Sequence, residues 1–279
     1  MVVANAAQQA NWDGEGGARW AANEAAHDKS TRQFREYFLD TASITSEMRV
    51  LDFGCGCGAT TREAARRADF VVGIDLSSPM IERARELAAL DALTNVEFRH
   101  GDVQTAEFEE SAYDLVMSHF GSMFFEDKVA AFRNLRRAAK PGARLHLLAW
   151  PPREPDDLTS RLAEVLAFGR AVDLPQVGQP SPLGLADVAQ ATAWLTDSGF
   201  VDVEVERTRL SSEYADVDAA FEHMSMFGRA YDLMEGLTAE QRPVALERLR
   251  AVIESYVTHE GVRIPRDVLL YRARRPDVD

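Results

Sequence analysis

The stretch LDFGCGCGATT, from Leu51 to Thr61, decides how this sequence is interpreted. It places three glycines at alternate positions between an apolar, strand-like segment and a pair of threonines. Glycine adopts positive φ angles without strain and lets a ligand approach the main chain closely. The pattern therefore predicts a tight turn from a strand into a helix, with a small molecule held against its backbone.

Short apolar runs alternate with longer amphipathic stretches on both sides of this turn, between Arg49 and Trp150. This alternation is typical of βαβ units and a parallel sheet. It predicts strands at MRVLDF, DFVVGID, VEFRHGD, YDLVMSH and ARLHLLAW. It also predicts helices over 59–68, 79–89 and 127–139, with KPGA as the turn after the last of them.

The pattern changes after Trp150, where proline-rich breaks flank the amphipathic segment LTSRLAEVLAFGRAV. We expect a helix that ends at Gly199, then a strand with Val201, Val203 and Val205 on one face. The segment from Ser211 to Gly261 is predicted to be helical, and DVLLYRARR to be a closing strand. The last two strands are expected to pair in antiparallel fashion beneath a helical cap.

Composition narrows the possible partners of the protein. The 279 residues include 31 basic and 45 acidic side chains, a formal net charge of −14 that would repel nucleic acid and anionic lipid. No apolar run approaches the ~18 residues of a spanning helix, and MVVANAAQQA does not resemble a signal peptide. We therefore expect a cytoplasmic protein with neither nucleic acid nor membrane as a partner.

Cysteine is confined to the glycine turn, where Cys55 and Cys57 are the two cysteines of the chain. This number excludes a disulfide framework and is too small for a structural zinc site, and no metal site is predicted. A C-x-C pair can be redox active, but small residues packed beneath a ligand loop are the favoured interpretation.

Acidic residues stand where the predicted strands meet their turns. Asp75 follows Gly54 by 21 residues, the position from which a carboxylate can accept both hydroxyl hydrogens of an adenosine ribose. Asp52 precedes the glycines and Asp102 ends the third strand. Each acid also has a structural explanation, because Asp75 can cap a helix and Asp102 can begin a turn.

The motifs VLDFGCGCG, VVGIDLSSPMIERAR, VEFRHGDVQ, YDLVMSHFGSMFF and AAKPGARLHLLAW together resemble those of the class I S-adenosylmethionine-dependent methyltransferases. SGFVDVEVER and VLLYRARR are similar to the last two strands of that family, and NWDGEGGARW to an N-terminal segment of its small-molecule branch. The resemblance implies a Rossmann-like, seven-stranded α/β sheet, mostly parallel with an antiparallel last strand, with helices on both faces and helical cap insertions.

The resemblance also implies a division of the chain. Residues 1–40 would form an N-terminal helical lid and residues 41–150 the S-adenosylmethionine-binding core. Residues 151–185 would be a cap insertion. Residues 186–279 would complete the core sheet, with a second cap insertion at about 211–260.

The resemblance also implies S-adenosyl-L-methionine as the cofactor and S-adenosyl-L-homocysteine as its product. It assigns the cofactor contacts of the family to the matching positions of this sequence. The backbone of Gly54, Cys55 and Gly56 would face the methionine part, and Asp75 would hold the ribose. The Asp102 carboxylate and the Val103 amide would bind adenine, while the Ser118 carbonyl would accept from the methionine ammonium. The remaining predicted cofactor contacts are Trp20, Asp52, Leu76 and Met80.

The acceptor is expected to be a small molecule methylated on O, N or C. His119 is the first candidate for a base or a substrate hydrogen bond, with a structural role as the alternative, and His223 is the second. Helical spacing places Phe221, Met224, Gly228 and Tyr231 on one face, which is either core or a pocket wall. The residues predicted to line the acceptor pocket are Trp12, Phe120, Met123, Phe124, Met224, Phe227 and Tyr231.

Two other functions fit parts of the sequence. A nicotinamide-dependent oxidoreductase uses a similar glycine turn, but the phosphate-binding donors and the catalytic Tyr/Lys or Cys/His set that it requires are not found. A protein of the same fold can also bind S-adenosylmethionine without transferring its methyl group, and the sequence separates that case poorly from a methyltransferase of secondary metabolism.

Overall fold

The computed structural model describes residues 4–155, 157–171, 176–226 and 228–278. Its sheet contains eight strands. They are β1 (Arg49–Phe53), β2 (Phe70–Asp75), β3 (Val96–His100), β4 (Tyr113–His119), β5 (Ala139–Ala149), β6 (Val201–Tyr214), β7 (Val257–Thr258) and β8 (Gly261–Arg274).

The strand order is β3-β2-β1-β4-β5-β8-β6, with the two-residue β7 paired to β8 outside this path. Strands β1 to β5 are parallel to their neighbours, whereas β8 is antiparallel to both β5 and β6. The predicted sheet, mostly parallel with an antiparallel last strand, is confirmed. The short β7 is an addition to the seven strands expected.

Twelve α-helices occur in the described ranges. They are α1 (Ala6–Trp12), α2 (Glu15–Ala22), α3 (Glu24–Ser30), α4 (Arg32–Ala42), α5 (Ala59–Ala65), α6 (Ser78–Leu90), α7 (Lys128–Ala138), α8 (Leu158–Leu166), α9 (Val188–Asp197), α10 (Val217–Met226), α11 (Gly228–Met234) and α12 (Gln241–Glu254). A short 3₁₀ helix spans Ser122–Phe124.

Alternation along the strands gives the sheet an apolar layer on each face. Leu51 of β1 belongs to a cluster with helices α7 and α9, and its neighbour Val50 belongs to a cluster with α4 and α5. Successive side chains of a strand point to opposite faces, so a strand buried on both sides is apolar throughout. The sheet is therefore covered by helices on both faces, as the resemblance implied.

The cap helices pack around an apolar cluster of their own. Leu162 of α8 and Leu249 of α12 meet Ile264 of β8 in this cluster. Segments distant in sequence, 158–166 and 217–254, therefore lie together over the same end of β8. The division of the chain into domains stays a prediction.

Two local expectations were wrong. KPGA lies within β5 as an irregularity, because the register moves from Tyr113 opposite Ala139 to Leu115 opposite Arg144. Residues 211–260 are not all helical, since β6 continues to Tyr214 by pairing with β8. The predicted stripe from Phe221 to Tyr231 crosses residue 227, which lies outside the described residues, so it stays a prediction.

No helix in the described ranges combines the length and the apolar composition needed to cross a membrane. The cytoplasmic location stays a prediction.

Candidate functional site

The glycine turn between β1 and α5 has the conformation that its sequence predicts. Gly54, Gly56 and Gly58 have φ angles of 65°, 55° and 76°. The amides of Gly54 and Cys55 donate to the Ile74 carbonyl at 2.8 and 3.2 Å, which fixes the turn against the end of β2. Glycine is required here because other residues adopt positive φ at a steric cost.

Asp75 braces this turn from the end of β2. Its carboxylate accepts from the amide of Gly56 at 2.7 Å and from the amide of Ser77 at 2.9 Å. The cap of α6 is Ser77, whose hydroxyl accepts from the amide of Met80, so Asp75 forms the turn before this helix rather than its cap. Burial raises the pKa of Asp75, while its backbone hydrogen bonds lower it. A carboxylate offers about four lone-pair sites, so two accepted bonds leave capacity for ligand hydroxyls, and the ribose contact stays a prediction.

Asp52 lies beneath the same turn and is almost completely buried. One of its oxygens accepts from the Thr61 hydroxyl at 2.6 Å. The other, Oδ1, is buried and has no hydrogen-bond partner among the described residues. Burial raises the pKa of this carboxyl to about 7. A buried acceptor without a partner is costly, so a cationic or hydrogen-bonding ligand would stabilise it.

Asp102 presents a second unpartnered oxygen. Its Oδ1 accepts from the side-chain amide of Asn5 at 2.8 Å and from the amide of Gln104 at 2.9 Å, which forms the turn considered as the alternative role. Its Oδ2 is buried and has no hydrogen-bond partner in the described part of the chain. Next to it, the carbonyl of Val103 accepts from Asn134 at 2.8 Å.

The N-terminal helices are attached to the core above these acids. Asp13 accepts from the amide and the hydroxyl of Ser78 at 2.7 and 2.5 Å. Asn5 joins Asp102 to the amide of Glu126, which donates to it at 2.6 Å. A Cβ at Gly17 would clash with the Ser77 hydroxyl, so α2 lies directly on the beginning of α6. Helices α1 to α3 thus form a roof over the glycine turn.

A cavity of about 1280 Å³ extends from the glycine turn to the cap helices. Pockets for drug-sized ligands typically measure roughly 300 to 1,000 Å³, so this volume admits a cofactor and an acceptor together. The predicted site residues that line it are Trp12, Trp20, Asp52, Gly54, Cys55, Gly56, Asp75, Leu76, Met80, Asp102, Val103, His119, Phe120, Met123, Phe124, His223 and Met224.

Two of the described residues that were predicted for the site do not line this cavity. Ser118 is fully buried, and its hydroxyl accepts from the amide of Gly121 at 3.2 Å. Tyr231 instead stacks on the guanidinium of Arg19, which lies 4.1 Å from the ring centre. Phe227 lies outside the described residues.

His119 lies in the cavity wall between aromatic rings. Its ring centre is 5.4 Å from that of Phe38 and 4.7 Å from that of Phe120. Its Nε2 is buried and has no hydrogen-bond partner among the described atoms. Burial lowers the pKa of the imidazole to about 3. A histidine that is neutral throughout the physiological range can hydrogen-bond an acceptor but is a weak general base.

His223 belongs to a polar group that sequence patterns did not reveal. Its Nδ1 lies 3.0 Å from the Tyr214 hydroxyl, and its Nε2 lies 3.4 Å from the Ser30 hydroxyl. Its ring centre is 5.8 Å from that of His27, which also lines the cavity. Burial lowers the pKa of His223 to about 4. Tyr214 and His223 lie nine residues apart, but Ser30 and His27 come from the distant helix α3, so no local spacing connects the whole group.

The two cysteines have the properties of packing residues. Burial raises the pKa of Cys57 to about 12 and that of Cys55 well above its ordinary value. Reactive cysteines need a stabilised thiolate, which these positions do not provide. Within the described ranges, no group of three or more His, Cys, Asp or Glu side chains is placed to hold a metal ion.

Comparison with known proteins assigns the core. Residues 50–142 match the methyltransferase domain family. Over 170 residues the chain is 32% identical to phosphoethanolamine N-methyltransferase 1 of Triticum aestivum, which covers 61% of this chain and 31% of that protein. It is 31% identical over 119 residues to the malonyl-[acyl-carrier protein] O-methyltransferase of Erwinia pyrifoliae, covering 43% of this chain and 44% of the relative.

A solved structure of Haemonchus contortus phosphoethanolamine N-methyltransferase 2 in complex with S-adenosyl-L-methionine has the same fold. Its TM-score is 0.60 at 17% identity, covering 99% of this chain and 60% of that one. The chain spans less than half the length of the two curated relatives. The match to the family covers the strands and turns that form the glycine-turn end of the cavity. The sequence match over residues 50–142 and the shared fold therefore support the resemblance to class I S-adenosylmethionine-dependent methyltransferases that the motifs indicate.

Proposed function

We propose that this protein is an S-adenosylmethionine-dependent methyltransferase that transfers a methyl group to an O, N or C atom of a small-molecule acceptor. The observation that carries the proposal is a pair of buried carboxylate oxygens, Asp52 Oδ1 and Asp102 Oδ2, that line one cavity without hydrogen-bond partners. Both lie where a nucleoside cation would complete their hydrogen bonding.

The charge of the turn favours S-adenosylmethionine over a dinucleotide. Asp52 and Asp75 both face the glycine turn, and Asp102 begins the turn after β3. A pyrophosphate would meet these carboxylates at close range, where like charges repel strongly. A cofactor that carries a sulfonium and an ammonium, and has no phosphate, is attracted by the same arrangement. The oxidoreductase alternative therefore fits the site less well.

Each part of the cofactor is contacted by different residues. Asp102 Oδ2 accepts from the adenine amino group, and the Val103 amide donates to the ring. Asp75 accepts from the ribose hydroxyls, while Asp52 compensates the positive charge. The other proposed contacts come from Trp20, Gly54, Cys55, Gly56, Leu76, Met80 and the carbonyl of Ser118.

S-adenosylmethionine, when bound, supplies a methyl group already activated by its sulfonium, so alignment and exclusion of water provide most of the rate. The roof of α1 to α3 excludes water from the glycine turn. His119 and Phe120 form the wall between the turn and the cap, where the acceptor lies. His119 orients the acceptor by a hydrogen bond from neutral imidazole, and His223 with Tyr214 extends the polar surface.

The acceptor proposed is a small molecule, of the kind found in secondary metabolism. Aromatic and apolar residues, among them Trp150, Leu162 and Met224, line the cap end of the cavity beside the histidines. The relatives named above act on chemically different acceptors, phosphoethanolamine and malonyl-[acyl-carrier protein], so the acceptor of this chain has to be determined directly.

The test is to incubate the protein with methyl-labelled S-adenosylmethionine and a small-molecule extract of its source cells, then to identify the labelled product. We expect label in one small-molecule product, with S-adenosylhomocysteine formed in equal amount. Asp102→Asn should abolish most of the transfer, whereas Asp91→Asn should not, because Asp91 pairs with Arg62 and Arg66 at the surface. Cofactor binding without any transfer would instead favour a non-methylating protein of this fold.

A further inference from the structure

Arg266 occupies an unusual position in the cap end of the cavity. It lies on β8 opposite Leu210 of β6, beyond the part of β8 that pairs with β5. Its guanidinium carbon is 4.5 Å from the centre of the Trp150 ring, and both residues line the cavity. The long β6–β8 pairing therefore places the guanidinium of Arg266 in the space beneath the cap.

The neighbouring arginines have carboxylate partners, but Arg266 has none within ion-pair distance among the described residues. Arg207 and Arg209 share Asp267 at 2.7 and 2.6 Å. Arg263, three residues from Arg266 on the same strand, pairs with Glu213 at 2.9 Å. Of these four arginines, Arg266 is thus the one without a carboxylate partner among the described residues.

The groups around Arg266 do not neutralise it at close range. Asp157 is the carboxylate that acts on it, but the Asp157 oxygens accept from the amides of Ser160 and Glu154 at 2.7 and 3.2 Å and cap α8. Burial lowers the pKa of Arg266, which reflects the cost of holding its charge there. Removing a guanidinium from water without a counter-charge is unfavourable, and a bound anion would offset that cost.

We propose that Arg266 binds an anionic group of the acceptor, a carboxylate or a phosphate, and so selects acidic small molecules as substrates. This inference rests on the proposed function. A guanidinium suits such groups because its planar fork donates two parallel hydrogen bonds. Stacking on Trp150 fixes the plane of that fork. The apolar wall of Phe120, Trp150 and Leu162 contacts the body of the acceptor between Arg266 and the glycine turn.

The cation at Arg266 stands in a protein with a net charge of −14. Such a surface repels anions in general, so an anionic acceptor has to be bound by a local cation. Arg266 supplies such a cation in the wall of the cavity.

The test measures binding of three matched probes, benzoate, phenyl phosphate and benzyl alcohol, to protein saturated with S-adenosylhomocysteine. Ligand-observed NMR gives the dissociation constants. We expect benzoate or phenyl phosphate to bind at least tenfold more tightly than benzyl alcohol, and their order to distinguish a carboxylate from a phosphate acceptor. Equal binding of all three, or binding of none, would overturn the inference.

Arg266→Gln should weaken the preferred anion at least tenfold and leave benzyl alcohol unchanged. Arg266→Lys keeps the charge and loses the planar fork, so it should bind the preferred anion with an intermediate dissociation constant. This variant replaces Arg266→Gln if the glutamine variant does not fold. Arg263→Gln is the control, because Arg263 lies outside the cavity, and it should bind like the unmodified protein. Unchanged anion binding in both Arg266 variants would contradict the proposal. Titration with S-adenosylhomocysteine distinguishes failure of the Arg266 proposal from failure of the proposed function. If S-adenosylhomocysteine does not bind, the proposed function itself is contradicted.

Discussion

Gly54 and Gly121 touch through their backbones: a Cβ on either residue would lie 2.7 Å from the Cα of the other. Gly54 begins the glycine turn, and Gly121 follows His119 and Phe120 at the end of β4. The contact joins the loop assigned to the cofactor with the loop that faces the acceptor. Their spacing is therefore set by two residues that lack side chains.

Gly121→Ala tests this contact without a conformational complication, because Gly121 has a φ of −89°, which alanine adopts freely. We expect the variant to lose about 1 to 3 kcal/mol of unfolding free energy, since a methyl group forced into a packed site displaces backbone. Urea denaturation measures this loss. Gly101→Ala is the stability control, because its Cβ would meet only the Ile74 side chain, at an ordinary 3.5 Å. Equal stability of the two variants would show that the loops are not in contact.

Asp52→Asn should increase stability and weaken cofactor binding. The pKa of Asp52 is raised to about 7 by burial, so between about pH 4 and pH 7 the folded protein holds a proton that the unfolded chain loses. Stability therefore falls as pH rises through this window, and the penalty is complete above pH 7. The variant should remove that slope and be more stable at pH 8 by on the order of 1 to 3 kcal/mol.

The same substitution should flatten the pH dependence of cofactor binding. In the unmodified protein, affinity for S-adenosylmethionine should rise from pH 6 to pH 8 as Asp52 loses its proton. Calorimetry at several pH values measures both proteins. A variant that keeps the rise with pH, or that is less stable at pH 8, would mean that Asp52 does not carry this charge.

His119→Phe distinguishes a functional histidine from one that orders the loop. The ring is enclosed by Phe38 and Phe120, and its Nε2 has no hydrogen-bond partner in the described structure. Phenylalanine removes this unsatisfied group, so the melting temperature should stay equal or rise. Methyl transfer should fall about tenfold or more, with no change in the pH profile between pH 5 and 8, because the pKa of His119 is about 3. A strongly destabilised variant would instead assign the histidine a structural role.

Asp13→Ala should loosen the roof over the glycine turn. Both hydrogen bonds from Ser78 to Asp13 are lost, which removes a direct attachment of α1 and α2 to α6. We expect faster limited proteolysis within the first thirty or so residues, because a segment opens more often when its anchoring contacts are removed, and severalfold weaker binding of S-adenosylhomocysteine. Glu15→Ala is the matched control, since Glu15 is exposed on the same segment. If both variants resist the protease equally, Asp13 does not hold the roof.

Local patterns predicted the parts of the site that neighbouring residues determine. The conformation of Gly54 and the position of Asp75 at the end of β2 follow from spacing within one βαβ unit. Pairing between distant segments was not accessible in this way. The extension of β6 to Tyr214 depends on its ladder with β8, and polar residues such as Thr208 and Ser212 conceal it. Arg266, His27 and Asn5 enter the cavity wall only through such long-range packing.

Calorimetric titration with S-adenosylhomocysteine, with NADH as the comparison ligand, measures whether this cavity binds a sulfonium nucleoside or a dinucleotide. We predict binding at one site, with a dissociation constant in the micromolar range and no heat from NADH. A flat trace with S-adenosylhomocysteine, together with clear binding of NADH, would contradict the assignment of this cavity to a sulfonium cofactor.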